Sequence, residues 1–250
     1  MHNYNKIGKV LQRFLTVEST NDIAKDMLSK TKPTSGSVII ADFQSKGRGQ
    51  RTNSWESEEG KNILCSIILL HQIDTELYFY INKIICIAIV ELLNELLPTE
   101  NIEIKWPNDI LVNKHKIAGI LIENAIINNH IQHSIIGIGL NVNQTNFQVY
   151  NAISITQCTF QLEDREMILQ KLLTSIDHWY QNLLHQKYNL IDSVYMNLLY
   201  GAHHTFDYMS NNEKYTGQIT SVNKDGSISV LNSISNQPTT FYFKEIQFIL

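Results

Sequence analysis

The sequence predicts an α+β fold: a mixed, largely antiparallel sheet flanked by helices, followed by a small all-β module. Three observations carry this expectation. Two long segments place apolar residues at helical spacing, several shorter runs are continuously apolar or alternate, and residues 201–250 hold only short alternating runs. A chain of 250 residues has room for one large domain plus one small one, and the change in texture sets the boundary near Gly201, giving units 1–200 and 201–250.

The elements follow in order. Ile7, Leu11, Phe14 and Leu15 lead into Val17-Glu18-Ser19-Thr20-Asn21, after which Ile23, Ala24, Met27 and Leu28 recur at helical spacing. Residues 38–41 read as a buried strand. A polar, glycine-bearing loop (44–62) and a second strand (63–70) come next. Residues 76–97 have helical length and stop at Pro98. Ile102, Ile104 and Trp106 alternate with charged residues in a half-buried strand that Pro107 ends. Strands 117–127 and 131–142 flank Asn128-Asn129-His130, a hairpin turn. Residues 162–184 form a second long amphipathic helix, continued in pieces to about Tyr200. Short strands then fall at 215–220, 227–231 and 240–243, with Asp225-Gly226 as a tight turn.

Composition excludes several classes. Twenty basic against 24 acidic residues leave a net charge of −4, the wrong sign for a protein that coats nucleic acid. Hydrophobic residues at 43% supply a sizeable core, so wholesale disorder is excluded. Cys65, Cys86 and Cys158 form no CxxC pair, which suits a reducing compartment and argues against a disulfide scaffold or a cysteine zinc site. The N-terminus lacks a secretory apolar core and no run is long enough to span a bilayer, so a cytoplasmic protein is expected. None of the nine histidines has metal-ligand spacing, and no serine elbow or Cys–His pair stands out. Chemistry by positioning and charge stabilisation is therefore expected, without a nucleophile or metal site from the protein.

Four segments carry that chemistry. In the first, Gln44 precedes Gly47-Arg48-Gly49-Gln50-Arg51-Thr52-Asn53-Ser54-Trp55. Glycines beside arginines let backbone amides approach an anion while guanidinium groups supply charge, and Trp55 offers a flat face to a purine. An ordinary basic surface loop explains the same residues equally well. Neither the P-loop pattern nor the dinucleotide fingerprint GxGxxG occurs. In the second, Lys105-Trp106-Pro107-Asn108-Asp109, a strand-end lysine is a point charge for a carboxylate or phosphoryl oxygen, whereas Pro-Asn-Asp alone is turn chemistry. The third joins Lys116-Ile-Ala-Gly119-Ile-Leu-Ile-Glu123 with Gly137-Ile-Gly139-Leu-Asn141. Glycine inside apolar strands marks close approach of a ligand or of another backbone, core packing being the plainer explanation for Gly137. Asn141 at a strand end can read a purine edge. The fourth, Ser19-Thr20-Asn21, precedes a helix, where capping and ligand contact are compatible.

In this order the four segments resemble the biotin–protein ligases, whose pattern runs Ser-Thr-Asn, a Gln before a Gly-Arg-Gly loop ending in Trp, Lys-Trp-Pro-Asn-Asp, Lys-(Leu/Ile)-Ala-Gly-Ile-Leu-(Val/Ile)-Glu and Gly-x-Gly-x-Asn. The resemblance implies a class II synthetase-like catalytic domain with a small SH3-like C-terminal β-barrel. It implies an ATP-dependent ligase that makes biotinyl-5′-AMP from biotin and ATP, then transfers biotin to a lysine of a biotin carboxyl carrier domain. Lys105, Arg48 and Arg51 would be the catalytic cations. Biotin would meet Ser19, Thr20, Asn21, Gln44, Gly47, Arg48, Gly49, Gln50, Lys105 and Gly119. The nucleotide would meet Arg48, Arg51, Trp55, Lys105, Asn108 and Asn141, with Mg²⁺ held mainly by its phosphates, and Asp109 would orient the acceptor lysine. Two anions about 4 Å apart repel by roughly 4 kcal/mol at a surface-like dielectric, which these cations would offset. Gln50, Thr52 and Asn53 depart from the family's Arg, Gly and Arg, so looser retention of the adenylate is expected. Ser19 lies too near the start for a preceding DNA-binding domain, so no DNA partner is expected; open strand edges permit a homodimer. Lipoate or octanoate ligase is the nearest alternative, a non-catalytic biotin or nucleotide sensor a second, and a nucleic-acid-binding module a third.

Overall fold

The computed structural model of the chain describes residues 6–50, 53–149 and 151–249. Its main sheet has seven strands: β1 (Leu11–Val17), β2 (Ser37–Gln44), β3 (Ile63–Asp74), β4 (Ile102–Lys105), β5 (Asp109–Val112), β6 (His115–Ile127) and β7 (His130–Leu140). They are ordered β1-β2-β3-β7-β6-β5-β4, and only the β1–β2 pair is parallel. Helix α1 (Thr20–Lys30) makes the crossover between those two strands.

Alternation along the strands sorts two layers. Val38 and Ile40 of β2 join Cys65, Ile67 and Leu69 of β3 beneath α2 (Tyr78–Leu96) and α4 (Arg165–Leu184). Ile39, Ile68 and Ile135 face the other way, onto Ala24 of α1. Helix α2 ends one residue short of the Leu97-Pro98 break. Helix α4 begins at Arg165 rather than 162, because the Asp164 carboxylate accepts from the Glu166 and Met167 amides at 2.8 and 3.2 Å and so sets the start. The β6–β7 turn has Asn128 and Asn129 at φ 50° and 63°, the geometry of a tight hairpin.

Several elements differ from the sequence expectation. The segment around Leu11, Phe14 and Leu15, given no element from the sequence, is the edge strand β1, and Leu15 is exposed. Trp106 lies past the end of its strand, and residues 109–112 form β5. The short α3 (Ile155–Thr159), held by a Ser154/Gln157 capping box, and α5 (Tyr188–Leu198) complete the helices.

The C-terminal module is a second antiparallel sheet of β8 (Phe206–Ser210), β9 (Glu213–Val222), β10 (Ile228–Asn232), β11 (Pro238–Phe241) and β12 (Gln247–Ile249), ordered β11-β10-β9-β8-β12. Its turn at Gly226 (φ 74°) presses on Phe79 of α2, where an added Cβ would lie 2.6 Å from the ring. The Gly226 carbonyl accepts from the Trp106 indole at 2.8 Å, and Phe243 packs on Trp106 with ring centroids 5.1 Å apart. The small sheet is thereby seated beside the Lys105 end of the large one. Among the described residues, no helix is long and apolar enough to cross a membrane.

Candidate functional site

A cavity of about 510 Å³ opens on the α1 face of the main sheet. Strand register explains why distant segments meet there. One rung pairs Lys105 with Asp109, Asp109 with Gly119, Gly119 with Gly139, Gly139 with Leu64 and Leu64 with Ala41. Partners on neighbouring strands lie about 5 Å apart, so the second and third of the four sequence segments share one line.

At the α1 end, side chains bond to one another. The Gln44 amide oxygen accepts from the Thr20 backbone N–H at 2.7 Å and from its hydroxyl at 3.1 Å. Gln44 therefore caps the helix start, while Ser19 at the N-cap position makes no side-chain cap bond. The Ser66 hydroxyl sits 2.7 Å from Thr20 Oγ1 and 2.6 Å from Asn21 Oδ1, and the Asn21 amide donates to Glu123 at 2.7 Å. Gly137 exists for this network, since a Cβ there would lie 2.5 Å from Asn21 Oδ1.

Glu123 also takes Lys25 at 2.6 Å and Arg48 at 3.1 Å, and Arg48 pairs with Asp22 at 2.8 Å. Burial raises the pKa of the Glu123 carboxyl, but hydrogen bonds from Lys25 and Asn21 and the charge of Arg48 outweigh this and hold it below the usual value. The Arg48 guanidinium is thus already neutralised by two carboxylates.

The glycine loop is a narrow hairpin. Trp55 N–H donates to the Gly47 carbonyl at 2.9 Å and Gly49 N–H to the Asn53 carbonyl at 2.7 Å. An added Cβ on Gly47 would lie 2.6 Å from the Trp55 carbonyl oxygen. Close approach of the two hairpin arms accounts for that glycine, and the Gly49 amide is committed to the hairpin rather than to an anion. Trp55 lies across the floor, where Cβ atoms on Gly139 and Gly119 would come within 2.3 and 2.9 Å of its ring. The two strand glycines make room for it. Its indole N–H is buried without a hydrogen-bond partner among the described residues.

The opposite end is cationic. Lys105 has no ion pair among the described residues, and its Nζ lies 6.0 Å from the centre of the Phe248 ring. Burial pushes its pKa below the ordinary lysine value; Asp109 opposes that shift and Lys116 adds to it. Lys116 reaches over Gly119 to pair with Asp109 at 2.6 Å. Asn108 donates to the Ile120 carbonyl at 2.6 Å, fastening β6 where β5 begins. Cys65 touches the cavity, and burial pushes its thiol up to about 12, which leaves it protonated and inert as a nucleophile.

Of the residues singled out by sequence, Ser19, Thr20, Asn21, Gln44, Arg48, Gly49, Gln50, Trp55, Lys105, Asn108, Asp109 and Gly119 line this cavity. Gly47 stands just behind it. Asn141 is absent from the lining; it donates to the Ile153 carbonyl at 3.1 Å, and its Oδ1 has no partner among the described residues. Arg51 and Thr52 lie outside the described residues. Sequence reasoning assigned no site role to Lys116, Glu123, Asp22 or Ser66, nor to the wall made by Phe243, Lys244, Ile246, Gln247 and Phe248. Lys116 and Glu123 stood inside a quoted motif; the C-terminal wall carries no motif at all.

The profile of the Biotin/lipoate A/B protein ligase family matches residues 14–141, and the chain belongs to that family. The bifunctional ligase/repressor BirA of Bacillus subtilis is 31% identical over 173 residues, 67% of this chain and 53% of that protein. The biotin–[acetyl-CoA-carboxylase] ligase of Mycobacterium tuberculosis is 28% identical over 146 residues, 57% of this chain and 53% of that one. The chain thus spans about half the length of these curated relatives. Among solved structures, the biotin protein ligase of Aquifex aeolicus in complex with biotin and ATP superposes with a TM-score of 0.77 at 22% identity, covering 96% of this chain and 99% of that one, which shows a shared fold.

Proposed function

We propose that this chain is an ATP-dependent biotin–protein ligase. The biotin carboxylate attacks the α-phosphorus of Mg-ATP, giving biotinyl-5′-AMP and pyrophosphate. A lysine amine on a biotin carboxyl carrier domain then takes the biotinyl group and AMP leaves. The rung joining Lys105, Asp109, Gly119 and Gly139 is the observation that supports this most directly, because it aligns a free cation with a floor able to accept a flat ligand. Residues 1–200 then act as the catalytic unit and 201–250 as the β module that closes one wall.

In this reading the Thr20, Gln44 and Ser66 network receives biotin's uncharged polar head, and Lys105 with Lys116 receives the carboxylate and α-phosphate. Trp55 supplies a purine face. Arg48, held by Asp22 and Glu123, ties the hairpin to α1 and β6, and Arg51 is a further cation of the same motif for the phosphates. The carboxylates Asp22, Asp109 and Glu123 each hold a cation already, so Mg²⁺ travels on the phosphates of its nucleotide. The acceptor amine arrives beside Asp109, in the cytoplasm, and a second copy of the chain can pair along an open strand edge.

The test is mass spectrometry of a carrier domain after incubation with this protein, biotin and Mg-ATP. One biotinyl adduct on one lysine is expected. An unmodified carrier, or modification by lipoate or octanoate in preference to biotin, would overturn the proposal.

A further inference from the structure

Among the described residues, four cations line the cavity: Arg48, Lys105, Lys116 and Lys244. Two are neutralised, Arg48 by Asp22 and Glu123 and Lys116 by Asp109. Among the described residues, Lys105 and Lys244 have no ion-pair partner, and they come from different sheets. Lys244 stands in the β11–β12 turn between Phe243, which packs on Trp106, and buried Ile246. The Glu245 carboxylate accepts from the Tyr242 amide at 2.8 Å, which closes the turn and keeps that charge on the turn's own backbone. Lys244 is also the one non-glycine residue of the cavity lining with a positive φ, 76°. That conformation is disfavoured for a lysine and free for glycine, so the turn carries this side chain against a local backbone penalty.

We propose that Lys244 binds the β- and γ-phosphates of ATP and stays with pyrophosphate as it leaves. The inference rests on the ligase reading above. When the carboxylate oxygen bonds the α-phosphorus, the bond from that phosphorus to the bridging oxygen breaks and its electron pair departs on pyrophosphate. One free cation at Lys105 serves the α-phosphate. The charge that accumulates on the leaving group meets the second, with no proton transferred. The small sheet then acts as a nucleotide-binding wall for the large one.

The test uses the full chain with Lys244→Gly, which suits φ 76° and so cannot fail through backbone strain, and with Lys244→Arg. Loss of a charge-assisted contact is expected to raise the KM for Mg-ATP about tenfold in the glycine variant and to weaken inhibition by added inorganic pyrophosphate by a similar factor. The KM for biotin and the rate of transfer from supplied biotinyl-5′-AMP to a carrier should stay unchanged, since the adenylate has lost those phosphates. Lys244→Arg should recover most of the ATP affinity. An unchanged ATP KM, a parallel fall in transfer from the supplied adenylate, or an arginine variant as weak as glycine would overturn the assignment while leaving the ligase reading intact. Failure of the unmodified protein to make any biotinyl-5′-AMP would instead remove the reading on which it rests.

Discussion

The two ends of the cavity differ in how their polar groups are satisfied. Beside α1, Thr20, Gln44, Ser66, Asn21 and Glu123 bond to one another in a continuous chain before any ligand arrives. Beside the small sheet, Lys105 and Lys244 have no counter-charge in contact among the described residues, and Lys105 is half-buried as well. A preformed network whose one carboxylate is matched by Lys25 and Arg48 is rigid and recognises shape and hydrogen-bonding pattern. Unpaired cations in a partly desolvated wall favour anions and gain most as negative charge grows. One end is therefore suited to the head of an uncharged ring and the other to a phosphate chain, so defects at the two ends should separate in kinetics.

The largest effect belongs to the cationic end. Lys105→Ala is expected to slow biotinyl-5′-AMP formation about 100-fold, ~2.7 kcal/mol of barrier, as removal of a comparable transition-state donor does. Pyrophosphate release measures it, and biotin affinity by calorimetry should fall less steeply than the rate, since Lys105 also receives the biotin carboxylate in the ground state. An undiminished rate would show that charge at this end is not what drives adenylation.

At the neutral end, Gly137→Ala places a methyl group where Asn21 Oδ1 now sits, 2.5 Å away. Asn21 must swing aside and lose its contacts to Ser66 and Glu123. The KM for biotin should rise about tenfold, roughly the net worth of one or two hydrogen bonds, with the KM for ATP nearly unmoved. Equal changes in both constants would erase the distinction between the two ends.

How much of this was legible in the sequence divides along the same line. Strands β3, β6 and β7 and helices α2 and α4 follow from long apolar patterns, because each is packed on a thick core and periodicity reports burial. Strand β1 escapes, since it lies on an edge with Leu15 in solvent and its pairing partner comes after a helix. The motif residues were legible as a set, but their contacts were not. Arg48 meets Glu123 across 75 positions, a pairing that only strand register creates. Glycines 119 and 139 read equally as ligand clearance or packing until Trp55 is seen on them. The Lys244 wall was invisible, because its place depends on how one sheet docks on another, which no local pattern encodes.

The smallest effect is in pH, and its direction tests the electrostatics of the Lys105 end. Lys105 acts as a cation, so kcat/KM for ATP should fall as the lysine deprotonates. Burial lowers its pKa, and the alkaline limb should therefore lie below the ordinary lysine value. Asp109 opposes that shift, so Asp109→Asn should move the limb to lower pH. Lys116 reinforces it, and Lys116→Met should move the limb upward, the more so because Asp109 is then released toward Lys105. The two variants neutralise opposite charges at one ion pair, so a general loss of packing would move both limbs the same way. Displacements of opposite sign, read from pH–rate profiles of pyrophosphate release, would place the ionisation at Lys105; a limb that ignores both variants would assign it to another group.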